Sequence, residues 1–79
     1  MERLTNLLDY LIKELVEKKE EVKIEYETVD NTVTFRVQVA HGEMGKIIGK
    51  NGMTAGAIRG IMQAAAVKDQ MDVKVEFLD

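Results

Sequence analysis

Apolar and polar residues follow two different periods along the chain, and the changes of period divide it into elements. Residues 4–18 carry apolar side chains at spacings of three and four, which is typical of an amphipathic helix. Residues 22–27 and 33–39 alternate between apolar and polar positions, as half-buried strands do. The Asp30-Asn31 pair between them favours a turn, so the two strands are predicted to form an antiparallel hairpin.

The second half of the chain first returns to the helical period and then alternates again. Residues 43–48 suit a short helix, and the acidic Glu43 would stand at its positive N-terminal end. Residues 49–52, Gly-Lys-Asn-Gly, interrupt that helix, and residues 53–67 resume the helical pattern. Residues 73–77 alternate as a third strand. The core face of the last helix is predicted to carry Ala55, Ile58, Met62 and Ala65. The predicted order is therefore α-β-β-α-α-β, an α+β domain.

Composition limits the class of protein. The chain has 79 residues, of which 46% are hydrophobic and 32% charged, which is enough for one domain, residues 1–79, with one modest core. It has no cysteine, which excludes disulfides and thiolate metal sites. It also lacks the run of about 18 apolar residues that a membrane span needs, and the N-terminal segment lacks the apolar core of a signal peptide. A cytoplasmic location is the default expectation.

Charge is unevenly distributed along the chain. The formal net charge is −3, but residues 41–68 carry four basic residues and one acidic residue, a balance of +3. The segments on either side each carry −3. The net-basic stretch therefore surrounds the glycine loop, residues 49–52, as expected for a phosphate-binding surface. A chance clustering of solvated charges is the alternative interpretation.

The glycine loop is the main candidate for function. Glycines allow sharp turns and close approach of another backbone, and a Gly-x-x-Gly turn between two helices clamps single-stranded nucleic acid in one class of domain. The segment from Gly45 to Lys50 does not make a nucleotide-binding P-loop, because three residues separate its glycines and Asn51 replaces the hydroxyl residue. His41 is the only histidine and has no evident catalytic partner, so no enzymatic apparatus is indicated.

The motif Gly45-Lys-Ile-Ile-Gly-Lys-Asn-Gly52, followed by Ala57-Ile-Arg59, resembles the signature of KH domains. The element order resembles the type II KH arrangement, which implies a three-stranded mixed sheet with three helices packed on one face. The whole chain is similar to the small bacterial single-KH proteins of the KhpA type. That resemblance implies a cytoplasmic RNA-binding protein without enzymatic activity, cofactor or small-molecule substrate. It also implies a role as an RNA chaperone or post-transcriptional regulator linked to cell elongation and division.

The resemblance implies a set of residues that contact single-stranded RNA. They are Lys46, Ile47, Gly49, Lys50, Asn51, Gly52, Met53 and Arg59. For Arg59, a solvated side chain is the alternative interpretation. Ile48 and Ile58 are expected to be core residues first, with only their outer edges available to bases. Neutral Asn51 and Met53 stand where basic residues are common in the family, so modest affinity is expected.

A second surface is predicted on the last helix. Gly56, Gly60 and Ala64 recur every fourth residue, which makes a smooth stripe beside Ala57 and Ile61. This stripe is either a tolerated exposed surface or a contact with the backbone of a second protomer or of a nucleic-acid strand. The predicted dimer interface is Ala57, Gly60, Ile61 and Ala64. The resemblance implies a homodimer or a heterodimer with a larger KH-containing protein. The alternative function is a dimerisation or scaffold module with weak or lost RNA binding.

Overall fold

A computed structural model describes residues 1–78, so the last residue of the predicted domain lies outside the described chain. The described residues have the predicted element order. The helices and strands are α1 Glu2–Lys13, β1 Lys23–Val29, β2 Thr32–Gln38, α2 Met44–Ile48, α3 Met53–Ala66 and β3 Asp72–Leu78. Short 3-10 turns precede β1, join α2 to α3 and follow α3. None of the helices in this range is long and apolar enough to cross a membrane. The α+β class is confirmed.

The three strands form one mixed sheet with β2 in the centre. β1 and β2 are antiparallel, with Tyr26 opposite Phe35, and Asp30 turns the hairpin with φ of +54°. β3 lies parallel to β2, with Val75 opposite Phe35. A parallel partner cannot follow through a tight hairpin, so the connection must cross over the sheet. Helices α2 and α3 make this crossover, and they also carry the glycine loop.

One face of the sheet supports the core. Alternate residues of β2 are fully buried and the residues between them are not, so the helices cover a single face. The opposite face is polar, and there Arg36 pairs with Glu27 at 3.2 Å and with Glu76 at 3.3 Å. The largest fully buried side chains are those of Phe35, Leu4, Leu8, Ile12, Ile47, Met62, Val33 and Val37. The first helix and the crossover helices therefore share one hydrophobic core with the central strand.

The first helix ends earlier than its apolar period predicts. The pattern indicated a helix over residues 4–18, but α1 ends at Lys13. The N–H groups of Glu17 and Lys18 instead donate to the carboxylate of Glu43, at 2.7 and 3.1 Å. A continued helix would direct those donors to carbonyls one turn earlier. The chain therefore leaves the helix to bond Glu43, although Val16 still reaches the core.

Glu43 is the only buried charged residue in the described chain. It is the N-cap residue of α2, as the pattern predicted, but its side chain makes no capping bond to that helix. The hydrogen bond from the Glu17 N–H lowers the pKa of Glu43 below its ordinary value of 4.5. The Lys18 N–H and the Lys46 amine lower this pKa further, and burial opposes them. Glu43 thus ties residues 16–18 to the start of α2.

Replacing Glu43 with glutamine should lower the melting temperature by about 5 °C or more. The amide keeps one acceptor oxygen, but its NH₂ group would face one of the two backbone donors. Because the pKa of Glu43 is lowered in the folded state, its contribution is present near neutral pH and is lost as the pH falls through that pKa. Thermal unfolding of the parent and the variant between pH 7 and about 3 should show their difference shrink with acidification. Glu20→Gln, at an exposed carboxylate, is the control. An equal loss in both variants at every pH would contradict the role of Glu43.

Candidate functional site

The glycine loop reverses the chain between α2 and α3 with a strongly constrained backbone. Gly49 has φ 75° and ψ 178°, Asn51 has φ 58° and ψ 25°, and Gly52 has φ 75° and ψ 11°. Three of the four loop residues thus have positive φ. Glycine adopts these angles freely, and asparagine tolerates the left-handed region better than most side chains. The left-handed backbone therefore explains why an asparagine stands at position 51. A comparison of charges alone does not reveal this.

The two glycines serve different purposes. Gly49 occupies a region of φ and ψ that is almost exclusive to glycine. In addition, a Cβ atom at Gly49 would lie only 2.7 Å from the Cβ atom of Thr54. A Cβ atom at Gly52 would have no atom of its surroundings within 4 Å. Gly49 therefore permits close packing of the loop against α3, whereas Gly52 leaves its outer side open.

Two backbone donors of the loop have no acceptor within the described chain. The Gly52 N–H donates to the Gly49 carbonyl at 3.3 Å, and the Met53 N–H donates to the Lys50 carbonyl. None of the hydrogen bonds within residues 1–78 uses the N–H of Lys50 or Asn51. Both residues are exposed and lie in the short turn, Lys50–Gly52, that precedes α3. The loop thus presents free N–H groups close to the positive end of a helix dipole, a combination that suits an anion.

The two predicted lysines differ in availability. The Lys46 amine lies 3.1 Å from Glu17 and 3.3 Å from Glu43, and it also hydrogen bonds to both carboxylates. These bonds, chiefly the one to Glu17, raise the pKa of Lys46. Lys50 is exposed and forms no salt bridge with residues 1–78. The free cation of the loop is therefore Lys50, while the charge of Lys46 is balanced within the protein.

Two neighbouring isoleucines before the loop, Ile47 and Ile48, do not lie where the sequence predicted. Ile47 is fully buried, whereas Ile48 is 36% exposed. Neighbouring positions on a helix point about 100° apart, so only one of the two faces the core. The expectation that Ile48 is a core residue is wrong, and Ile47 cannot offer a side-chain edge to a ligand. Ile58 is a core residue as expected, and Met53 is 71% exposed at the start of α3.

Arg59 is held against β3. Its Nε donates to the carbonyl oxygen of Val75 at 3.2 Å, and its guanidinium lies 5.0 Å from the centre of the Phe77 ring. The position on α3 agrees with the predicted helix, but these contacts link the helix to the sheet. The hydrogen bond to Val75 uses only the Nε atom, so the other two guanidinium nitrogens remain available for a further contact.

The remaining face of α3 is an exposed stripe of small residues. Ala55, Ile58, Met62 and Ala66 are its buried residues. The stripe comprises Gly56, Ala57, Gly60, Ile61 and Ala64, all of which are exposed. Ile61 is 45% exposed, and no surrounding atom lies within 4 Å of a Cβ built on Gly60. The predicted interface residues thus share one open surface. Elsewhere on residues 1–78 there is no pocket for a small molecule and no cluster of metal-ligating side chains.

Comparison with known proteins places the chain among relatives of known family. The family model of the KhpA/KhpB KH domain matches residues 5–77. The RNA-binding protein KhpA of Chlamydia trachomatis is 40% identical over 72 residues, which cover 91% of this chain and 92% of that protein. KhpA of Clostridium acetobutylicum is also 40% identical, over 91% of this chain and 96% of its own length. KhpA of Borreliella burgdorferi is 36% identical over 92% of this chain and 89% of that protein.

The two glycines of the loop should respond differently to alanine. Gly49→Ala introduces both backbone strain and a collision with Thr54, so it should lower the free energy of unfolding by about 3 kcal/mol. Gly52→Ala introduces only the penalty of the left-handed conformation, about 1 kcal/mol. Urea denaturation monitored by circular dichroism measures both values. Equal losses would show that Thr54 does not constrain position 49.

Proposed function

The chain belongs to the KhpA/KhpB family of KH-domain proteins, and on this basis we propose that it binds single-stranded RNA with its glycine loop. The family is not one of enzymes. The observation that carries the proposal is the pair of free N–H groups at Lys50 and Asn51, beside an unpaired lysine amine. In KH domains a loop of this kind clamps the backbone of about four nucleotides.

The proposed contact begins at the RNA phosphates. The N–H groups of Lys50 and Asn51 donate to phosphate oxygens, and the N-terminal end of α3 adds its dipole. The Lys50 amine supplies the formal positive charge, and the side-chain amide of Asn51 offers a further donor. The open side of Gly52 leaves room for the sugar-phosphate chain to approach. Backbone geometry therefore contributes at least as much to this clamp as charge does.

Apolar contacts with bases would come from the flanks of the loop. Ile48 at the end of α2 and Met53 at the start of α3 are exposed on either side of it. Ile48 replaces the buried Ile47 in the proposed interface, and Met53 keeps its predicted place in it. Lys46 and Arg59 remain in it with smaller roles, because Glu17 and Glu43 neutralise the lysine and Val75 holds the arginine.

The affinity of one copy should be modest and sensitive to salt. The protein is acidic overall, with a net charge of −3, and its loop has one unpaired lysine. Two to four phosphate contacts would give a slope of log K against log salt of about −0.7 per phosphate for a single strand. A second copy on the same RNA would compensate for the weakness of each site by raising the effective concentration.

The exposed stripe on α3 supports a second function, the formation of a dimer. Gly56, Gly60 and Ala64 allow close approach of another backbone, and Ile61 adds apolar area next to them. We propose a homodimer through this stripe, with a larger KH-containing protein as the alternative partner. The dimer would act in the cytoplasm as an RNA chaperone or post-transcriptional regulator. If RNA binding is negligible, the same stripe would make the chain a scaffold module.

Reversing the charge of the loop should abolish RNA retention. The double variant Lys50→Asp, Asn51→Asp places two carboxylates where the phosphate would lie, and aspartate tolerates the left-handed backbone at position 51. Filter binding with a pool of single-stranded RNA should show at least about a tenfold loss of affinity, from the lost charge and the new repulsion. The melting temperature should hardly change, because both residues are exposed.

A charge-matched control separates this contact from general repulsion. Lys68→Asp with Asn6→Asp changes the net charge equally at two other exposed positions. The control should keep most of the affinity of the parent at both low and moderate salt. If the loop variant binds as well as the control, the loop is not the clamp.

Replacing Ile61 with aspartate should convert the dimer into a monomer. A carboxylate in the centre of the stripe cannot be desolvated without a partner, so two copies would no longer pack there. Light scattering after size exclusion measures the mass directly. Val29→Asp, at another exposed apolar residue, should leave the parent mass unchanged. A dimer that persists in Ile61→Asp would place the interface on another surface.

A further inference from the structure

β3 is an edge strand of the sheet. Its inner side pairs with β2, and the Asp72 N–H donates to the Asn31 carbonyl at 2.8 Å. Alternate residues of a strand direct their backbone groups to opposite sides, so the polar groups of Val73, Val75 and Phe77 face outwards. Such an edge offers unpaired donors and acceptors to any other strand. β3 needs some means of preventing this pairing.

Two side chains of α3 form hydrogen bonds with outward-facing backbone groups of β3. The Gln63 Oε1 accepts the Val73 N–H at 3.1 Å, and the Gln63 Nε2 donates to the Asp72 carboxylate at 3.3 Å. One turn earlier, the Arg59 Nε donates to the Val75 carbonyl at 3.2 Å. Residues 59 and 63 lie on the same side of the helix, so both contacts follow the same edge.

We propose that Arg59 and Gln63 keep the edge of β3 closed against the β3 strand of a second copy. A strand that paired there would need the Val73 N–H and the Val75 carbonyl, and both already have partners within the chain. It would also meet the guanidinium that Arg59 holds over Phe77. These side chains therefore act as an edge cover, a function that does not require the glycine loop.

The composition of β3 explains why a second copy is the relevant partner. The strand reads Asp-Val-Lys-Val-Glu-Phe-Leu, with apolar residues at every second position and no proline or glycine. Its formal net charge is −1. Short segments with high β propensity, low net charge and no proline pair readily with copies of themselves. The exposed Lys74 is one deterrent within the strand itself, and the neighbouring helix adds a cover over the backbone groups.

Removing both covering side chains tests the inference. Arg59→Ala with Gln63→Ala keeps a strong helix former at both positions, so α3 should remain helical. The double variant should form larger species whose mass rises with protein concentration in light scattering. Exchange of the Val73 amide, followed by NMR, should accelerate by at least about tenfold, since its acceptor is gone. Repeating the measurement with Ile61→Asp separates edge pairing, which should persist, from association through the α3 stripe.

The control removes the same chemical groups from other exposed places. Lys68→Ala with Gln38→Ala also deletes one positive charge and one amide, and its mass should match that of the parent at every concentration. If the double edge variant loses its native circular dichroism, Gln63→Ala alone provides the same comparison. A variant with the mass of the control at every concentration, together with a rapidly exchanging Val73 amide, would overturn the inference.

Discussion

The buried carboxylate of Glu43 is the interaction on which the position of the loop depends. Helix α2 has only five residues, and an isolated helix of that length is unstable in water. It is held at its start by the bonds of Glu43 to residues 17 and 18, and by the burial of Ile47 in the core. The glycine loop follows at once, so its placement depends on these tertiary contacts. Gly49 then packs closely against Thr54 in the first turn of α3.

This dependence explains what could be predicted from sequence. The strands and α3 were predictable because a half-buried strand and a helix with one buried face impose simple periods on their residues. The end of α1 was not predictable, because the bonds that stop it come from a carboxylate some 25 residues away. The pairing of Lys46 with Glu17 has the same origin. Which of Ile47 and Ile48 is buried depends on how the short helix α2 is rotated about its axis. Two adjacent apolar residues in a sequence do not specify that rotation.

The loop also shows why a count of charges describes the candidate site poorly. Lys46 contributes a formal charge to the basic stretch, but two carboxylates balance it. The neutral Asn51 suits a left-handed backbone, and the N–H groups of positions 50 and 51 are free because the loop turns in this way. An anion at this place would meet one amine and two oriented backbone donors. A site of this kind would discriminate by geometry, so binding of a flexible phosphate chain there would not require a strongly basic protein.

Helix α3 has three distinct sides, and its two interior glycines lie on the third. One side packs in the core and a second covers the edge of β3, where Arg59 and Gln63 have partners within the chain. The glycines at 56 and 60 face neither, and within the described chain no surrounding atom would touch a side chain placed there. Each interior glycine lowers helix stability by roughly 1 kcal/mol relative to alanine. Intramolecular packing therefore does not account for them, whereas a second molecule against the stripe would.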